Sequence, residues 1–119
     1  MKQVLAAALV VGGLAATLGA QEIFSVGNGV NAPTVAREVK PYYTPQAQAA
    51  RIEGKVLLGV VVTAEGAVDG VTVDRSLDTM FGLDEEAVKA MKLWTFNPGT
   101  KDGKPVAVRV HVEMNFTLK

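Results

Sequence analysis

With 119 residues, 49% of them apolar, the chain has enough for one compact domain and too little for two. Twelve basic residues balance twelve acidic ones, which excludes a long-range field that would gather nucleic acid or anionic lipid. Cysteine is absent, and with it disulfides, thiolate chemistry, cysteine-based metal sites and anchoring through an acylated cysteine.

Lys2 precedes an uncharged run, Val4 to Ala20, rich in Ala, Gly and Val and closing on the small residues Gly19 and Ala20. A charged start, an apolar middle and a small-residue end form the plan of a secretory signal peptide over residues 1–20, cleaved after Gly19 or Ala20. The alternative is a short retained membrane anchor, although a spanning helix wants about 20 strongly apolar residues. Both readings put the folded part outside the cytoplasm. Residues 21–38 read as a flexible leader: Gln21 to Asn31 has Gly27, Asn28 and Gly29 and no apolar period, and Ala32 to Val39 could form a short extended segment. Pro41 ends that segment, because a residue before proline is pushed out of helical geometry.

The folded domain is expected over residues 39–119. Thr44 is a plausible N-cap with Pro45 at the first helical position, and Gln46 to Ile52 gives a short helix that Gly54 stops. Lys55 to Thr63 is a continuous β-branched run, the pattern of a central strand buried on both faces. Ala64 to Ala67 turns the chain, and Val68 to Arg75 returns as a hairpin partner with a bulge at Gly70. Leu83 to Trp94 is an amphipathic helix, with Leu83, Ala87, Ala90, Met91 and Trp94 on one face and Asp84, Glu85 and Glu86 in the first turn. After a turn at Lys101 to Lys104, the last segment alternates: Val106, Val108, Val110, Val112, Met114 and Phe116 face one way, and polar residues face the other. The fold class is therefore α+β, a three-stranded antiparallel sheet with two helices packed on one face. The C-terminal strand should be an edge.

Chemistry-bearing residues are sparse. His111, the only histidine, lies on the polar face of the last strand and reads as solvated rather than catalytic. Ser25 and Ser76 have no histidine nearby in sequence. Asp84, Glu85 and Glu86 are explained by the helix dipole, and Gly27-Asn28-Gly29 has no strand and helix around it to make a phosphate loop. No catalytic residue, metal or cofactor is expected.

From Val39 onward the chain resembles the C-terminal domain of the TonB family, periplasmic energy transducers of bacteria with outer membranes. Three stretches carry the resemblance. Pro41-Tyr42-Tyr43-Thr44, with Ala47, Ala50 and Gly54, is similar to the family's Pro-x-Tyr-Pro opening and short helix, with Pro41 and Tyr43 as the matching pair. Gly66-Ala67-Val68 through Ser76, then Leu83-Asp84 and Ala87, resembles the hairpin and the start of the long helix. Most specific is Trp94-Thr95-Phe96-Asn97-Pro98 followed by Gly103-Lys104-Pro105-Val106. Typical members carry an anchor and a long Pro-rich spacer. Here about 25 residues separate the apolar run from Tyr43, a reach of at most about 90 Å.

The expected function is a periplasmic, non-enzymatic protein-binding module of the envelope transport machinery. An extended partner segment would add to the edge strand by β-augmentation, meeting Val106, Val108, Arg109, Val110, His111, Val112 and Glu113. The resemblance implies an outer-membrane receptor or other envelope protein as that partner. It implies inner-membrane motor proteins only if residues 1–20 are retained. The alternative is a structural domain that self-associates, as a homodimer, through the same edge; a second copy or the domain's own leader could cover it.

Overall fold

A computed structural model describes residues 22–118, so the reading of residues 1–20 lies outside the described residues. In chain order the elements are β1 (Ile23–Ser25), β2 (Val30–Asn31), β3 (Thr34–Arg37), α1 (Pro45–Ala49), β4 (Gly54–Val62) and β5 (Val68–Arg75). Then follow α2 (Leu83–Met91), β6 (Thr95–Asn97), β7 (Gly99–Lys101) and β8 (Lys104–Phe116).

The three expected strands are adjacent in the sheet, with β4 between β5 and β8, both pairings antiparallel and β5 at one edge. The sheet is wider than that, however. Its order is β2-β7-β8-β4-β5, and β1 is a sixth strand that pairs with β8 in parallel. A separate two-stranded sheet joins β3 to β6. The added strands are two to four residues long and rest on main-chain pairing, so no apolar alternation announces them in the sequence. The stretch read as a flexible leader accordingly holds β1, β2 and β3.

The β4–β8 register runs from Gly54 opposite Phe116 to Val62 opposite Val108. It aligns Val56, Leu58, Val60 and Val62 with Met114 and Phe116 on one buried face. Leu83, Ala87, Ala90 and Met91 of α2 and Ala47 of α1 cover that face, and Trp94 and Phe96 close it. Burial of β4 on both faces holds only toward its end, since Lys55 is exposed while Gly59 and Val61 are buried. Val60 pairs with Val71 and Val61 with Asp69, which leaves Gly70 unpaired as a bulge at φ 64°.

Both helices are shorter than their sequence patterns. Thr44 caps α1, its hydroxyl oxygen accepting from the Ala47 N–H at 3.1 Å and its hydroxyl donating to the Phe81 carbonyl at 2.9 Å. That second bond ties α1 to the loop before α2. α2 stops at Met91, and Trp94 follows in a turn that still places its ring on the helix's apolar side.

Candidate functional site

The last strand is not an edge along its whole length. On the side away from β4, β7 pairs with Lys104, Pro105 and Val106, and β1 pairs with Ala107, Val108 and Arg109. Among the described residues nothing pairs with β8 on that side from Val110 to Phe116. Of the seven residues expected to meet a partner, Val106, Val108 and Arg109 are therefore already covered. Val110, His111, Val112 and Glu113 lie on the open part. Alternate residues there direct N–H and C=O groups outward, the condition for adding a strand.

A groove of about 340 Å³ lies against this open part, lined by Glu38, Lys40, Pro41, Tyr43 and Trp94 and by Glu113 through Thr117. Successive strand residues point to opposite faces. A cavity touching five in a row must therefore follow the strand's main-chain edge rather than one face. The other wall is the opening motif, held there by two hydrogen bonds. The Trp94 indole Nε1–H donates to the Val39 carbonyl at 2.8 Å, and the Tyr43 hydroxyl donates to the Ile52 carbonyl. The Tyr43 ring meets Phe116 edge-on, centroids 5.3 Å apart. Desolvation pushes the Tyr43 phenol above its ordinary value, Glu53 adding to the rise and Arg51 opposing it, so the hydroxyl remains a donor at neutral pH.

The motif residues thus divide by position. Pro41, Tyr43 and Trp94 line the groove, whereas Phe96, Pro98, Gly103 and Pro105 hold up the structure behind it. Phe96 is in the core. Pro98 joins β6 to β7, Gly103 sits at φ 77° in the β7–β8 turn, and Pro105 pairs with Thr100. Lys40 directly precedes the opening motif but is not one of its matching residues. Glu38, Asn115 and Thr117 carry no sequence signal, because only the crossing of two distant segments brings them to one groove.

His111 is exposed, as expected of the polar face, but it has a partner: Nε2 lies 3.1 Å from Asp74 Oδ2 on β5. The pair reaches across β4 above Gly59, where a Cβ would come within 2.6 Å of the Asp74 carboxylate. No group of three or more potential metal ligands occurs among the described residues.

The acidic first turn of α2 does more than meet the helix dipole. Asp84 is buried and accepts from the Leu77 and Asp78 N–H groups, both at 3.0 Å, and from the Ser76 hydroxyl. Burial raises its pKa, but the Asp78 N–H, the Ser76 hydroxyl and the Leu77 N–H outweigh that and hold it below the ordinary value. Asp78 in turn accepts from the N–H groups of Met80, Phe81 and Leu83. These carboxylates organise the loop before α2.

Residues 39–118 match the family model described as the Gram-negative bacterial TonB protein C-terminal. Protein TonB of Xanthomonas campestris pv. campestris is 41% identical over 78 residues, 66% of this chain and 34% of that protein. Protein TonB of Escherichia coli is 33% identical over 97 residues, 82% of this chain and 38% of that protein. The chain thus spans about a third of the length of these relatives. The solution NMR structure of the Pseudomonas aeruginosa TonB C-terminal domain superposes with a TM-score of 0.61 at 28% identity, covering 82% of this chain and 96% of that one. The family match over residues 39–118, together with the backbone superposition, establishes that this chain belongs to the TonB C-terminal domain family.

Proposed function

We propose that the protein is a periplasmic partner-binding module of the TonB-type transport machinery, and that an extended segment of an outer-membrane receptor or other envelope protein adds to β8 along Val110–Phe116. The observation that carries this reading is the open main-chain edge running beside a groove walled by Pro41 and Tyr43. Main-chain bonds to the edge would supply affinity, and side chains entering the groove between Lys40, Tyr43 and Trp94 would supply selection. Val110 and Val112 lean toward the core face, and His111 and Glu113 toward the wet face, so the added strand would be read from both sides. The chemistry asked of these residues is recognition alone. Among the described residues no helix is long and apolar enough to cross a membrane. Coupling to inner-membrane motor proteins would therefore fall to residues outside the described ones.

Titration of the isotopically labelled protein with peptides copied from receptor plugs tests the reading. Amide shifts are expected at Val110–Phe116 and at Lys40–Tyr43, with smaller ones on β4, which pairs with the other side of β8. Saturating peptide that moves none of these amides would overturn it. Concentration-dependent sedimentation without peptide, with the same amides shifting, would instead assign the edge to a second copy of the chain.

A further inference from the structure

The segment β1 fills the gap between two other parts of the β8 edge. β7 covers Lys104–Val106, β1 covers Ala107–Arg109, and the open part begins at Val110. β1 runs parallel to β8 in the lane that an added strand would use, with Ser25 opposite Arg109. It then leaves that lane, because Gly27 bridges to Val30 and turns the chain away.

Three features make β1 an occupant rather than a fixture. It is three residues long and contributes no side chain to the hydrophobic core. Its one ring, Phe24, is half-buried and held by the Lys101 ammonium 4.9 Å from the ring centroid, while Ile23 is 46% exposed. It also ends at a hinge, since Gly27, Asn28 and Gly29 all take positive φ (110°, 53° and 86°), with open space around both glycines.

Resting on the augmentation reading above, we propose that Ile23–Ser25 is a displaceable strap that closes the N-terminal end of the partner's lane, so that a bound strand gains Ala107–Arg109 only by lifting it. With the strap down, the available edge is Val110–Phe116. With the strap swung out about Gly27–Gly29, the edge reaches from Ala107 to Phe116. The fraction of molecules with the strap lifted then scales the apparent affinity for a long partner segment.

The test uses the full chain in three forms: native, Phe24→Ala to loosen the strap, and Ser25→Cys with Arg109→Cys to lock it. The chain has no other cysteine to compete. A second lock, Phe24→Cys with Val108→Cys, joins the neighbouring register pair and serves if the first fails to oxidise. The probe is a synthetic receptor-plug peptide long enough to cover Ala107–Phe116, alongside amide exchange at Ala107–Arg109 without peptide. Phe24→Ala is expected to speed that exchange and to tighten peptide binding roughly three- to ten-fold, while the lock slows exchange and weakens binding relative to native. Reduction of the lock should restore native behaviour. Equal peptide affinity in the locked and loosened forms overturns the strap and leaves augmentation standing. Failure of all three forms to bind overturns augmentation and the strap together.

Discussion

Asp84 shows how one side chain can organise a junction that the sequence presents as a run of acids. Three donors converge on its carboxylate from the loop that precedes α2, and replacing one oxygen by an amide group turns an acceptor toward a donor. Asp84→Asn is expected to lower stability by about 1–3 kcal/mol in urea unfolding at neutral pH. The pH dependence has a definite sign. Because the folded carboxyl titrates below its ordinary value of 3.8, its stabilisation is complete above the unfolded value and lost as pH falls through the folded one. The gap between native and Asp84→Asn midpoints should therefore narrow on acidification and stay constant from about pH 6 upward, where the carboxyl is ionised in both the folded and the unfolded chain. An unchanged gap at low pH would show that the carboxylate's charge is not what the three donors recognise.

At the scale of elements, short strands are fastened to long ones by single close approaches. In the turn between β4 and β5, Gly66 takes φ +87° and its carbonyl accepts from the Phe96 N–H at 2.8 Å. A Cβ there would lie 2.1 Å from the Phe96 carbonyl oxygen. Gly66→Ala must therefore push β6 away from the hairpin as well as accept a left-handed backbone, a loss of about 2–4 kcal/mol. Chemical denaturation with an unchanged slope, together with faster amide exchange at Thr95–Asn97, is the expected result. Loss of stability without that local exchange would place the strain in the turn alone. Trp94, three residues past α2, reaches back to the Val39 carbonyl and so fixes the opening segment against β8. Helix, opening motif and groove wall are in this way one mechanical unit.

For the molecule as a whole, charge is balanced and the groove carries both signs, with Glu38, Glu113 and Lys40 all in its lining. Affinity should then rest on main-chain pairing and apolar contact rather than on steering. Raising ionic strength from about 0.01 M to about 1 M shortens the Debye length from about 30 Å to about 3 Å. Peptide affinity across that range is expected to change by less than about threefold in calorimetric titration. A steep fall with salt would identify the charged rim, not the strand edge, as the main source of binding.

The amino-acid sequence by itself determined the long elements and the family. Apolar alternation in Val106–Phe116, the β-branched run of β4, the Thr44-Pro45 start of α1 and the face Leu83-Ala87-Ala90-Met91 are local patterns. Each states its own secondary structure and buried side, because side-chain periodicity and backbone geometry are the same fact. The Gly70 bulge was legible for the same reason. Tertiary structure alone decided which part of β8 is open. Strands as short as β1, β2 and β7 are stabilised by a neighbour's unpaired main chain, and main-chain groups are the same for every residue except proline. Nothing in Ile23-Phe24-Ser25 or Gly99-Thr100-Lys101 therefore marks them as strands until β8 is there to receive them. The groove, too, exists only because residues near positions 40 and 115, far apart in the chain, are brought side by side by Trp94 and Tyr43.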